Sequence, residues 1–246
     1  MKRLASPLAL LCLLFTVSLA APSSQNKVTL RVKADAGQTA RRKTNLTLTF
    51  EAAGQKFNTE VESYDKVTFA KVDANGQVTI ESETESMEVK VNGQKIDAGE
   101  DAKEKSTAVV SARNELVSYK SDGEPDETKL GIRISQANNI VYPEGAVGPG
   151  DRWTHTFKAD ATLGTEPGTA EYTLVEISKL DGIDVAKVSL TYKETASGGL
   201  TNRGTVWVEV KSGDAVKAEW EMSDVPFGPA GDSVKATVKG SGTRVG

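Results

Sequence analysis

The sequence predicts an all-β protein, or a β protein with one short helix. Its sheets are curved antiparallel meanders, arranged as a half-barrel or as two similar β halves. Three observations lead there. Val, Thr and Gly are, with Ala, the commonest residues of the chain, and apolar residues tend to alternate with polar ones, the period of a half-buried strand. Turn dipeptides such as Asp181-Gly182 and Asn92-Gly93 sit between alternating runs. Folding back at those turns sets apolar residues opposite apolar ones, which is what cross-strand pairing rewards.

The turns carry the register. A two-residue turn at Asp181-Gly182 pairs Leu180 with Ile183, Ile177 with Ala186, Glu176 with Lys187, and Val175 with Val188. A turn at Asn92-Gly93 sets Val89 opposite Ile96. Two other turns need three-residue loops. Ala74-Asn75-Gly76 pairs Val72 with Val78 and Ala70 with Ile80. Lys211-Ser212-Gly213 pairs Val208 with Val216 and Val206 with Ala218. Both loops place glycine third, where a left-handed residue is required.

Strands follow near 27–35, 44–53, 56–63, 65–73, 77–91, 94–97, 107–112 and 115–121 in an N-terminal β region, 21–140. A C-terminal meander, 141–246, holds strands near 152–160, 169–180, 183–195, 202–210, 214–223 and 232–243. The two regions form one domain or two. Asp126 to Asn139 is the one stretch with a helical pattern. "VKADAG" at 32–37 and "FKADAT" at 157–162 hint at a duplication, though the spacings to the later loops differ.

The first twenty residues read as a secretory signal. Lys2 and Arg3 precede the apolar run Leu8–Leu19, and Ser18-Leu19-Ala20 ends in small residues suited to cleavage near Ala20. Cys12 follows Leu10-Leu11, which does not suit a lipidation signal. Cleavage leaves a chain with no cysteine, hence no disulfide and no thiolate nucleophile. Export without disulfides points to a secreted or periplasmic bacterial envelope protein. Asn45-Leu46-Thr47 fits the N-glycosylation pattern, which has meaning only in a eukaryotic secretory route. Removing Lys2 and Arg3 from the 30 basic residues leaves 28 against 34 acids, a net charge of −6. That field argues against a nucleic-acid partner. No segment after the signal is apolar enough to span a membrane as a helix.

The chain's chemistry is sparse. Gly145, Gly148 and Gly150 form G-x-x-G-x-G, but "DRWTHTFKA" after them has period two. A phosphate cradle needs a helix there, so the stretch 141–157 reads as a corner feeding a strand. Trp153, His155 and Phe157 then face inward, with His155 packed and a ring N–H bonded to a carbonyl. Asp151 caps the turn. Ser24 to Lys27 matches S-x-x-K, but in a tail where no buried site forms. Glu81, Glu83 and Glu85 share one face of a solvated rim strand with a bulge near 83–87. Ser121 to Glu127 is a surface loop. No catalytic residue, cofactor or metal is assigned. Trp207 has the opposite parity to Val206, Val208 and Val210, so it faces outward, stacked on Lys217. It is the one side chain singled out as a ligand or partner contact.

Pro143, Val147, Gly150, Asp151 and Trp153 resemble the "P…V…G-D-x-W" lead-in to the central strand of a family of secreted bacterial β-proteins with no established activity. The meander that follows is similar too. The resemblance implies an architecture related to the half-barrel sheets of bacterial lipoprotein carriers, which hold an acyl chain in their concavity. The expected function is non-enzymatic: binding of a hydrophobic ligand such as a lipid, or of an envelope partner, through a concave sheet. The alternative is a structural or interaction module with no ligand pocket. An envelope hydrolase ranks below both, because no acid–base pair is apparent.

Overall fold

The computed structural model describes residues 27–97, 104–226 and 234–245. The signal segment 1–20 with Cys12, and Ser24 of the S-x-x-K match, lie outside the described residues.

Among the described residues, twelve strands form one antiparallel sheet that does not close. They are β1 (Gln38–Ala52), β2 (Gln55–Val72), β3 (Val78–Val91), β4 (Gln94–Ile96), β5 (Lys105–Val110), β6 (Leu116–Ser121), β7 (Arg152–Phe157), β8 (Gly168–Leu180), β9 (Ile183–Glu194), β10 (Thr201–Glu209), β11 (Ala215–Pro226) and β12 (Lys235–Arg244). The spatial order is β6-β5-β3-β2-β1-β12-β11-β10-β9-β8-β7, with β4 beside β3. Two meanders therefore meet where β1 pairs with β12, and the free edges are β6 and β7. One helix, α1 (Pro125–Asn138), lies in the link between those edges.

The two-residue turns form as the dipeptides predict. Asp181 and Gly182 have φ of 50° and 85°, Asn92 and Gly93 49° and 80°, the doubly left-handed geometry that suits strand twist. Leu180 pairs with Ile183, Ile177 with Ala186 and Glu176 with Lys187; Val89 pairs with Ile96. The expected partners beyond some turns are wrong by one residue, each time at a bulge. Leu174, not Val175, pairs with Val188. This buries Leu174 completely and leaves Val175 45% exposed. Phe69, not Ala70, pairs with Ile80. Val206 meets Ala218 as expected, but Val208 meets Ala215 rather than Val216. An extra residue in one strand exchanges faces, which brings Leu174, Phe69 and Ala215 to the core side.

Three further expectations change. Residues 27–35 are extended but form no sheet strand. Their backbone bonds scatter: Val28 pairs with Val147, Val32 N–H donates to Ala112 O (2.9 Å), and Lys33 N–H to Ser212 O (2.7 Å). The strands expected at 56–63 and 65–73 are one continuous β2, bent by a register shift at Tyr64/Asp65 opposite Glu85. This is the bulge expected near 83–87. β3 is not a rim strand, because β2 and β5 flank it. Its outward glutamates instead pair with basic side chains, Glu83 with Lys105 and Glu85 with Arg41.

The inner face of β8–β11 holds the core. Tyr172, Leu174, Val188, Leu190, Val208 and Met222 are buried there. Segment 28–32, α1 and segment 140–147 cover it, contributing Leu30, Val32, Ile132, Ile140, Tyr142 and Val147. The covering segments lie close. A Cβ on Gly213 would fall 2.1 Å from Arg31 O, so the loop that Tyr142 grips through its hydroxyl (2.6 Å to Gly213 O) tolerates no side chain. Along the sheet, Gly204, Trp220 and Gly240 are cross-strand neighbours, and the indole of Trp220 lies over Gly240.

α1 is held by polar anchors. Arg133 makes a two-pronged ion pair with Glu194 (2.6 and 2.7 Å), which also accepts the Leu200 N–H (2.8 Å). Asn202 Nδ2 donates to Ala137 O (2.8 Å). Among the described residues no helix is long and apolar enough to cross a membrane.

Two outcomes follow. Gly240→Ala drives a methyl into the Trp220 ring, where the closest atom is 2.3 Å away. It is expected to cost about 1–3 kcal/mol, a fall of several degrees in the thermal midpoint. Arg133→Met leaves the Glu194 carboxylate, 1% exposed, without its charge partner. It is expected to cost about 3–5 kcal/mol in urea unfolding, and adding Glu194→Gln should recover part of that loss.

Candidate functional site

The two free edges of the sheet border a cleft of about 780 Å³. One wall is the inner face of β3, β5 and β6, with Ile80, Ala108, Val110, Leu116 and Tyr119. Alternation along the strands places them there, since Ile80 pairs with Ala108 and Ala108 with Tyr119. The opposite wall is β7 and the loop after it, with His155, Phe157 and Leu163. The helix lies between, presenting Thr128, Gly131, Ile132, Ser135 and Gln136, continued by Asn139. These positions are three and four apart, one face of a helix. Most of the walls are apolar; Glu104, Glu115, Lys158 and Asp160 supply charge at the borders.

The glycine-rich stretch is the corner the sequence predicts, and it sets β7 in place. Gly150 has φ +89°. The Asp151 carboxylate accepts the Gly148 N–H (2.9 Å) and faces Lys27 Nζ (3.2 Å), and the two hold its pKa below the usual carboxylate value. Trp153 stacks on Tyr172 and donates its indole N–H to Val141 O (2.8 Å).

His155 faces inward as expected, but it lines the cleft rather than the filled core. Its ring packs edge-on against Phe157 (4.5 Å between centroids). Nδ1 lies 3.9 Å from Glu115 Oε1, so its facing group is a carboxylate and not the expected carbonyl. Burial lowers its pKa; Glu115 works against that and Arg113 with it. Among the described residues, no three His, Cys, Asp or Glu side chains gather as metal ligands.

Trp207 lies outside this site. It is on the face opposite the buried Val206 and Val208, its ring between Lys217 (4.8 Å) and Lys187 (5.4 Å), its two cross-strand neighbours. The stacking on Lys217 is as the register implies. Sequence reasoning missed Gly131, Ile132, Gln136 and Tyr119. The one local signal was the 128-131-132-135-136-139 spacing in the predicted helix.

No protein-family sequence model matches the chain, and no curated protein sequence matches it. Among solved structures, it is similar to lipovitellin, in a structure describing that protein's lipid–protein interactions. The TM-score is 0.56 at 10% identity, over 86% of this chain and 25% of lipovitellin. The fold is similar to part of lipovitellin. The chain spans about a quarter of that protein's length, and at this identity the likeness concerns fold alone. DynF of the dynemicin pathway of Micromonospora chersina (TM-score 0.25, 7% identity, 90% of this chain and 86% of that one) is a weaker match. So is a DUF1329 family protein of Desulfovibrio piger (TM-score 0.18, 12% identity, 85% and 87%). Neither reaches a score that bears on the argument. The family that the P…V…G-D-x-W motif resembles is not shown by these matches.

The His155 environment sets a pH dependence. Its pKa in the folded protein is below the unfolded value of about 6.5, so the folded state favours the neutral ring. The resulting stability is complete above about pH 6.5 and is lost as pH falls through the lowered folded pKa. Thermal midpoints are expected to drop between about pH 7 and pH 5, and His155→Gln should flatten that drop while leaving the fold intact.

Proposed function

We propose that this is a non-enzymatic, exported envelope protein that binds a long-chain hydrophobic ligand in the cleft between its two sheet edges. The cleft carries the reading. Its 780 Å³ lies within the range of small-molecule sites, and its apolar walls come from three separate parts of the chain. A buried methylene contributes about 0.8 kcal/mol, while association costs on the order of 4–15 kcal/mol. Short ligands therefore do not stay bound. Roughly ten buried methylenes, on the order of 8 kcal/mol, are the minimum for useful affinity, which favours a lipid chain. The likeness to part of lipovitellin, whose structure concerns lipid–protein interactions, supports the same class.

The expected site was the concavity of the sheet. Its centre is filled by α1 and segments 28–32 and 140–147, so the ligand is assigned to the seam instead. The alternative, an interaction module, keeps Trp207 as a partner contact. Any partner there competes with Lys187 and Lys217 for the indole faces.

Gly131 supplies the test. It lines the cleft, and a Cβ there meets nothing within 4 Å. Gly131→Phe should project a ring into the cleft and obstruct it without disturbing the helix, since phenylalanine has the better helix propensity. Mass spectrometry of natively purified protein should find a long-chain lipid on the wild type and at least a tenfold lower occupancy on Gly131→Phe at unchanged thermal stability. A wild type that is isolated empty and takes up no added long-chain lipid would overturn the reading.

A further inference from the structure

We propose that the cleft releases its ligand in acid, with the imidazole of His155 as the group that takes up the proton. The proposal rests on the reading that the cleft holds a long-chain ligand, and it adds the control of that binding.

Position carries it. His155 is the chain's only histidine, and it stands in the cleft wall. Its ring packs edge-on against Phe157, a second wall residue, and its side chain keeps 23% of its surface exposed. A chain seated in the cleft covers part of that remainder. Methylene groups then stand where water stood, and they neither solvate a cation nor pair with it. Loss of water disfavours the charged form of an imidazole. The free protein already shows the effect: burial is the largest cause acting on the ring and holds its pKa below the ordinary value.

The charges that face the ring do not reverse this. Glu115, just before β6, lies 3.9 Å from Nδ1 and favours the imidazolium. The same oxygen, Oε1, is 3.8 Å from Arg113 Nη1, and that guanidinium opposes the imidazolium. A protonated His155 would therefore share one carboxylate with a cation already beside it. On the strand's continuation Lys158 and Asp160 border the cleft with opposite charges, and Glu104 borders it elsewhere, bonded to the Ser121 hydroxyl. β8 sets Ala170 opposite His155, and α1 presents the uncharged Thr128, Ser135 and Gln136. The far wall adds the phenol of Tyr119. Linkage then fixes the sign. A ligand that disfavours the imidazolium lowers the ring's pKa further, and a proton on the ring weakens the ligand by the same factor. Binding is complete above the pKa of the free protein and weakens as pH falls through it.

The probe is dodecan-1-ol, which does not ionise where histidine titrates, so any pH dependence belongs to the protein. Its Kd for the whole untagged chain is measured by calorimetry at a temperature where the fold is intact throughout. It is expected to be roughly three- to tenfold larger at about pH 5 than at about pH 7.5. His155→Gln keeps Glu104, Glu115 and Asp160 and should bind equally at both values. Because no other histidine is present, the proton resonances of the ring report its pKa directly, and dodecan-1-ol should lower it in the wild type. Equal affinity at both pH values, or a ring pKa that dodecan-1-ol does not move, overturns the proton linkage and leaves the long-chain reading standing. A pH ratio that survives in folded His155→Gln excludes His155 as its source. Failure to bind at either pH removes both readings. The ring titration needs no variant, so it decides the matter should His155→Gln not fold.

Discussion

The direction of the strands governs this structure. Between β6 and β7 the sheet runs through ten pairings, every one antiparallel. An even number of reversals leaves the two free edges pointing the same way. Closing the sheet would need a parallel pair, and a chain that leaves one strand and returns parallel to it needs a long crossover rather than a tight turn. The chain supplies that crossover between Ser121 and Arg152, and α1 lies within it. The crossover occupies the concavity, and what remains between the two edges is the cleft. The crossover and the cleft beside it both follow from that parity, which rules out a tight closing hairpin between β6 and β7.

How the crossover is held explains why the cleft stays open. An amphipathic helix with a broad apolar stripe would settle flush against the sheet. α1 packs few apolar side chains on the core, Ile132, Ile134 and Ala137, and is fastened as well by polar contacts: the Arg133–Glu194 pair, the Gln136–Tyr192 bond, and Asn202 to the Ala137 carbonyl. Such contacts fix distance and orientation more than they exclude space. They also leave buried acceptors to be satisfied. The unpaired oxygens of Gln136 and Asn202 both belong to this anchoring layer.

What the sequence made legible was local. The turn at Asp181-Gly182, the left-handed Gly76 and Gly213, the inward row Trp153-His155-Phe157 and the helix after Pro125 all follow from neighbours within a few residues. The misreadings were local too, but each depended on packing at a distance. Nothing near Val175 says that Leu174 needs the core position more, yet the bulge there decides it. The β1–β12 pairing, the path of segment 27–35 and the cleft were out of reach for a different reason. Ile80, Ile132 and Phe157 are far apart in the chain and meet only because the meander curls and the crossover returns. Periodicity tells which way a side chain faces; it does not tell what the face will meet.

His155 shows the same limit from the other side. Its period-two placement was right, and a packed histidine was the sound expectation for an inward position. Yet β7 is an edge strand, and the inward face of an edge looks across an open seam, not into a filled core. The residue is thus half structural and half exposed to whatever fills the cleft. The same holds for Phe157 and, across the seam, for Leu116 and Tyr119. In a closed barrel these four would be core residues; in this sheet they are walls. The site therefore needs no dedicated loop or motif: it is built from core-type residues that strand parity left without a partner.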